Sequence, residues 1–167
     1  MKISIYVCGQ IAAGKAAFAK QLSEKLNISV FSTHNFLESS KQDDSSAWSK
    51  IINLLDTLDE YIFVSTGLSK RMDKLIRNDL KNGRIIFVIK LLCSKSTALE
   101  RVKKREAYIK WSYEISIEES IEWIEKELNK IDADLEFDME STDTIDAVEL
   151  ALKKIGDLVN EHNRNSN

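Results

Sequence analysis

The feature that most constrains this chain is a short loop directly after its first apolar run. Ile3 to Cys8 is rich in β-forming residues, and Gly9-Gln10-Ile11-Ala12-Ala13-Gly14-Lys15 follows without a break. From Lys15 the period changes, with Phe18, Leu22 and Leu26 at helical spacing. A G-x-x-x-x-G-K loop between a strand and a helix turns the backbone so that several N–H groups point at one spot. The helix N-terminus adds positive partial charge there, and Lys15 adds a full one. The loop therefore reads as a cradle for phosphate groups. The competing reading is a plain βα turn. The match alone would be common by chance, but its place after the first strand and before the first helix is not.

The rest of the chain continues the alternation. Ser29 to Phe31 and Tyr61 to Val64 read as short strands. Ile85 to Leu92, interrupted only by Lys90, reads as a central strand buried on both faces. Ala133 to Phe137 reads as the last strand. Between them lie helical stripes. Trp48, Ile51, Ile52, Leu55 and Leu58 form one, and Met72, Leu75, Ile76 and Leu80 a second, which Gly83 can end in a left-handed conformation. A helix runs from Ser94 to about Arg105. Ser116-Ile117-Glu118-Glu119 is a capping-box pattern that opens a helix with Ile117, Ile121, Ile124 and Leu128 inward. Ile145, Val148, Leu152, Ile155 and Val159 stripe the last one. Alternation of this kind predicts an α/β fold, with a parallel sheet between helices on both faces and its ligands at the carboxyl ends of the strands.

Bulk composition excludes several classes. At 167 residues and 43% hydrophobic, the chain fits one domain with a real core. It is expected to span 1–160, with a polar tail over 161–167 that frays. A formal net charge of -3 does not suit a polycation that coats nucleic acid. Lys103, Lys104 and Arg105 form only a small basic cluster, with no stripe of interleaved aromatics, so nucleic acid is not the expected partner. No apolar run approaches the ~18 residues of a membrane span, and the N-terminus does not read as a signal peptide. Cys8 and Cys93, with His34 and His162, make no metal-site spacing and read as buried free thiols in a reducing, cytoplasmic compartment.

With the loop placed, the chain resembles the adenylate-kinase-like small-molecule kinases, the nucleoside and nucleotide kinases built on a phosphate loop. Four stretches carry the resemblance. The first is Gly9 to Lys15. The second is Phe31-Ser32-Thr33-His34-Asn35-Phe36-Leu37, similar to the family's S-T-x-D-x-L/I-R segment. The third is Val64-Ser65-Thr66-Gly67-Leu68-Ser69-Lys70-Arg71-Met72, similar to D-x-T-G-L-x-x-x-R. The fourth is Leu99-Glu100-Arg101-Val102-Lys103-Lys104-Arg105, similar to the R-x-x-x-R that precedes the family's lid.

The resemblance implies a three-layer P-loop NTPase fold with a five-stranded parallel sheet of order 2-3-1-4-5 and a short lid at about 106–115. It implies ATP as the nucleotide, bound by Gly9, Gln10, Ile11, Ala12, Ala13, Gly14, Lys15, Ala16, Ala17, Arg101 and Arg105. Arg101 would pack on the adenine and Arg105 would reach phosphate. His34, Asn35, Glu38, Thr66, Gly67 and Arg71 would meet a small-molecule acceptor, with Lys15, Arg105 and Asn35 in catalytic positions. The implied reaction moves the γ-phosphoryl group of ATP to a nucleoside, nucleotide or similar acceptor.

Three departures bear on the chemistry. Ala16 stands where the family has a Ser or Thr that ligates Mg²⁺. Asn35 stands where it has a carboxylate, and an amide cannot take a proton at neutral pH. Val64 or Ser65 stands where it has an aspartate at the end of strand three. Either Mg²⁺ is held by phosphates, water and another residue, or catalysis is weak, or the site only binds. The alternative function is therefore a nucleotide-binding protein of kinase fold with little or no catalysis. His34 and Asn35 can also be read as helix caps, Arg71 as a solvated arginine after a turn, and Arg101 with Arg105 as a solvated basic face. Asn129-Lys130-Ile131-Asp132 matches the guanine-reading N-K-x-D motif. It closes a helix rather than following a strand, so it reads as coincidence.

Overall fold

The structure is a computed structural model that describes residues 2–32, 44–67, 69–105 and 116–165, without the side chains of 44–47, 69 and 71. The second stretch of the family resemblance beyond Ser32, and the lid at 106–115, lie outside the described residues.

Five strands are described: β1 (Ile3–Gly9), β2 (Val30–Ser32), β3 (Glu60–Ser65), β4 (Ile85–Leu92) and β5 (Leu135–Asp138). They form one parallel sheet in the order β2-β3-β1-β4-β5. The helices are α1 (Lys15–Leu26), α2 (Asp44–Asp56), α3 (Ser69–Lys81), α4 (Lys95–Lys104), α5 (Ile117–Leu128) and α6 (Thr144–Asn165). The fold class is the one the alternation predicts, and the strand order is the one the family resemblance implies.

Strand alternation sorts the core into two halves. Ile3, Ile5 and Val7 point to one face, against Phe18 and Leu22 of α1 and Val148 and Ile155 of α6. Tyr6 and Cys8 point to the other, against Trp48, Ile51 and Leu55 of α2, Met72 and Leu75 of α3, and Ile124 and Leu128 of α5. Each such fully buried large side chain contributes about 1.5–3 kcal/mol. The capping box at Ser116 is made: its hydroxyl accepts from the Glu119 N–H, and Glu119 accepts from the Ser116 N–H.

Four expectations change. Leu80, placed inward by its spacing, is 61% exposed, and Asp79 takes the inward place instead. Ile145 is likewise 59% exposed, so the last stripe begins at Ala147 and Val148. The tail does not leave the helix at Asn160. No proline or capping glycine stops α6 there, and adding residues to an existing helix costs little, so α6 continues to Asn165. Of the two free thiols, Cys8 is buried and Cys93 is only half-buried.

Asp79 anchors a buried polar network at the end of the sheet away from the glycine loop. The Tyr6 hydroxyl donates to its Oδ2 at 2.7 Å, and the Tyr61 hydroxyl donates to the same oxygen. Arg84 Nε lies 3.5 Å from Oδ1, with its guanidinium 5.1 Å from the centre of the Tyr61 ring. The rest of the guanidinium donates to the carbonyls of Leu55, Leu58 and Asp59. Burial, reinforced for Tyr6 by the neighbouring Tyr61 and Asp79 and for Tyr61 by its bond to Asp79, pushes both phenols far above the ordinary tyrosine range. The unfolded chain ionises its tyrosines near pH 10, whereas the folded chain keeps these two protonated. Their contribution is therefore complete below about pH 10 and is lost as pH rises further. A titration followed at the phenolate absorbance is expected to show Tyr6 and Tyr61 ionising only together with unfolding. Gradual ionisation of both in the folded protein would contradict it.

Candidate functional site

The glycine loop lies where β1 gives way to α1, at the carboxyl edge of the sheet and in its centre. Two backbone features shape it. Gly14 has φ +86° and Ala12 has φ +60°, both left-handed. In Ala12 this conformation costs about 1–2 kcal/mol, so the loop holds strain where it bends. Gly9 packs against β4: an added Cβ would lie 2.2 Å from the Leu91 carbonyl oxygen. The Gln10 N–H donates to that same oxygen at 3.0 Å.

Lys15 is half-buried, with its ammonium turned back under the loop. Nζ donates to the Gly9 carbonyl at 3.0 Å and the Gln10 carbonyl at 2.7 Å. Burial, with a smaller contribution from the Arg105 charge, holds it down at about 8. Ala16 and Ala17 are exposed on the first turn of α1.

Gln10 was expected only as one more loop residue. The structure gives it a positioning role. Its side chain is buried, donating to the Ile121 carbonyl of α5 at 3.0 Å and accepting from the Ile11 N–H at 2.8 Å. It thereby ties the loop to the helix that follows the segment 106–115. A glutamine in this loop gives no sign of that in sequence, because its partner is 111 residues away.

Arg101 and Arg105 sit differently from each other. Arg101 bridges two loops, donating to the Ala12 carbonyl at 3.1 Å and to the Met139 carbonyl, just after β5, at 3.0 Å. It is thus no solvated face; it fixes the gap between the glycine loop and the β5–α6 loop. Arg105 ends α4 exposed. The β5–α6 loop is tied to α4 a second time. Glu140 accepts from the Ser94 N–H at 2.8 Å and its hydroxyl at 2.5 Å, and these bonds hold its carboxyl down at about 2.

Thr66 and Gly67 turn the chain from β3 into α3. Gly67 has φ +84°, and a Cβ there would lie 2.7 Å from Leu128 and 3.1 Å from Ile131. The glycine is needed because α5 closes over it. Ser65 ends β3, beside Cys8 of β1, and its Oγ accepts from the Gly67 N–H at 3.2 Å. Arg71 is placed within α3, its side chain outside the description, and His34, Asn35 and Glu38 fall outside the described residues. The N-K-x-D match closes α5 and precedes β5, as its sequence position implied.

The site thus gathers the glycine loop, Lys15, Arg101, Arg105 and the β3–α3 turn at one edge. Among the described residues it offers Mg²⁺ few ligands. Ala16 presents a methyl group, β3 ends in Val64 and Ser65, and no group of three or more His, Cys, Asp or Glu among the described residues could hold a metal ion.

A parallel sheet of order β2-β3-β1-β4-β5, with a G-x-x-x-x-G-K loop between β1 and α1, defines the fold of the P-loop small-molecule kinases. Solved structures share it over almost the whole chain. A gluconokinase from Sinorhizobium meliloti is 15% identical, with 99% of this chain and 98% of that one covered and a TM-score of 0.66. A shikimate kinase from Acinetobacter baumannii in complex with shikimate is 14% identical, covering 93% of each chain, with a TM-score of 0.67. The YorR protein from Bacillus subtilis in complex with phosphorylated GDP is 14% identical, covering 92% of this chain and 95% of that one, with a TM-score of 0.67. No protein-family model matches the sequence, and no curated protein matches it. At these identities the likeness establishes the fold. Among the described residues no helix is long and apolar enough to cross a membrane.

Proposed function

We propose that the chain is an ATP-binding phosphotransferase that moves the γ-phosphoryl group to a small hydroxyl or phosphate acceptor, such as a nucleoside or nucleotide. The observation that carries this is Lys15. Its ammonium is held under a strained glycine loop and, among the described residues, is bonded to the loop's own carbonyls, where an incoming phosphate chain could take it over. ATP would supply the transferred group. The N–H groups of the Gly9 to Lys15 loop and Lys15 itself would hold its phosphates, Arg105 would add charge, and Arg101, tied to the Ala12 and Met139 carbonyls, would meet the adenine from beside the loop. Catalysis of this kind needs positioning and charge neutralisation more than covalent chemistry. The acceptor would meet Thr66, Gly67, Arg71, His34, Asn35 and Glu38, and the cytoplasm supplies both substrates.

A second reading is favoured by Ala16 and by the Val64-Ser65 end of β3. On it the chain binds a nucleotide but turns it over weakly or not at all. Thermal stabilisation by ATP, with and without Mg²⁺, followed by ADP release over an acceptor panel separates the two. Turnover dependent on acceptor supports the first, and stabilisation without turnover supports the second. If none of ATP, ADP, GTP and GDP raises the melting temperature, neither stands.

Lys15 also sets a pH dependence. Only its protonated form attracts phosphate, and in the free protein it loses its proton near 8. Nucleotide affinity is expected to be flat up to about pH 8 and then to fall by up to about tenfold per unit. Lys15→Met should bind weakly and without this break. An affinity constant through the alkaline range would remove Lys15 from the phosphate site.

A further inference from the structure

The helices on one face of the sheet carry opposite charge. Along α3, Lys70, Lys74, Arg77 and Lys81 recur every three or four residues, which is one face of a helix. They line a groove of about 550 Å³ between α2 and α3, whose other wall includes Ser49, Ile52 and Asn53. Asp73 is the carboxylate in its lining, and it pairs with Arg77 at 3.2 Å. The side chains of Lys70, Lys74 and Lys81 are exposed and make no ion pair or hydrogen bond among the described residues.

Helix α5 carries the reverse sign. Glu118, Glu122 and Glu125 follow the same spacing, on the flank beside buried Ile121, Ile124 and Leu128, with Lys126 an exposed cation further round the helix. Glu122 is held by Lys95, while the side chains of Glu118 and Glu125 are exposed and make no ion pair or hydrogen bond among the described residues. Trp123 is 46% exposed on a different side of the helix from these three glutamates. Both helices belong to one layer. Met72 and Leu75 of α3 join the same core cluster as Ile124 and Leu128 of α5, and Leu128 covers the Gly67 turn from which α3 starts.

We propose that this helix layer is the contact surface between two copies of the chain, the acidic face of α5 in each lying in the basic groove between α2 and α3 of the other. A groove between two helices is a seat for a third, and cations at helical spacing match carboxylates at helical spacing. Because each copy carries both halves, the contact is reciprocal and can close as a pair rather than grow into an array. No aromatic side chain among the described residues lines the groove for a base to stack on, which disfavours a nucleic-acid strand as its occupant.

The test uses the intact chain at low ionic strength. Sedimentation velocity is expected to show a dimer that dissociates as salt is raised, since exposed charge pairs are screened. Carbodiimide coupling of a mixture of isotope-labelled and unlabelled chains should join Lys70, Lys74 or Lys81 of one copy to Glu118 or Glu125 of the other. Lys74→Glu with Arg77→Glu should weaken association by at least about tenfold, as should Glu118→Lys with Glu125→Lys, and all four changes together should restore it. A monomer at low salt overturns the proposal, whatever else the groove then binds. So does a dimer that is indifferent to salt or that couples through other residues. The coupling experiment needs no variant, so a misfolded mutant does not leave the question open.

Discussion

Gly9→Ala is expected to lower the melting temperature by roughly 6–12 °C, the equivalent of about 3 kcal/mol in a chain of this size. The cause is backbone against backbone. A methyl group on residue 9 would stand 2.2 Å from the Leu91 carbonyl oxygen, with no flexible side chain to give way. The strands must separate at Gly9↔Leu91, in the centre of a five-stranded sheet, and the Gln10 N–H loses its bond to the same oxygen. The glycine loop starts there, so nucleotide-dependent stabilisation should vanish with the stability. Gly14→Ala is the control. It has φ +86° and open space around it, so its cost is that of the left-handed backbone alone, about 1–2 kcal/mol. Thermal denaturation of both variants, with and without ATP, checks the ranking. Equal losses would mean that the close approach at Leu91 costs nothing beyond conformation.

The fold was legible because its signals are local and repeated. Ile85 to Leu92 is read as a central strand from its apolar run, and β4 has those bounds. Lys15 to Leu26 is read as a helix from three apolar residues and is one. What the periods could not supply is which neighbour each residue finds. Leu80 fits the helical stripe of α3 as well as any other leucine. The residue that turns inward is Asp79, because Tyr6, Tyr61 and Arg84 converge on it from three other segments. Lys90 interrupts an apolar strand and is nevertheless buried, because Glu136 lies opposite it in β5.

The candidate site divides in the same way. Its loop is a contiguous motif, so Gly9, Gly14 and Lys15 could be named in advance. The ties that hold the loop are not contiguous. Gln10 reaches Ile121, and Arg101 reaches both Ala12 and Met139. The second of these bridges the glycine loop and the β5–α6 loop, so Arg101 is held between them rather than waiting in solvent. The R-x-x-x-R pattern pointed to Arg101 without indicating this. Gln10 adds a direct link from α5 to the Ile11 N–H through a single side chain.

The largest single loss of stability is expected from Asp79→Ala. Removing one partner of a buried ion pair leaves the other charge uncompensated, at a cost of about 3–5 kcal/mol. Here Asp79 is 1% exposed and Arg84 4%, and the carboxylate also accepts from two tyrosine hydroxyls. The alanine variant strands a guanidinium whose other acceptors are the carbonyls of Leu55, Leu58 and Asp59, which are neutral. Arg84→Met tests the converse, leaving the carboxylate with the two hydroxyls and no cation. The double variant decides what the pair contributes. If the single losses reflect stranded charge, the double variant should be markedly more stable than their sum predicts, since neither charge is then left unpaired. Denaturant unfolding of the four proteins yields that coupling directly. Additive losses would show that Asp79 and Arg84 act through their separate bonds to the tyrosines and the α2–β3 carbonyls, and not as a pair.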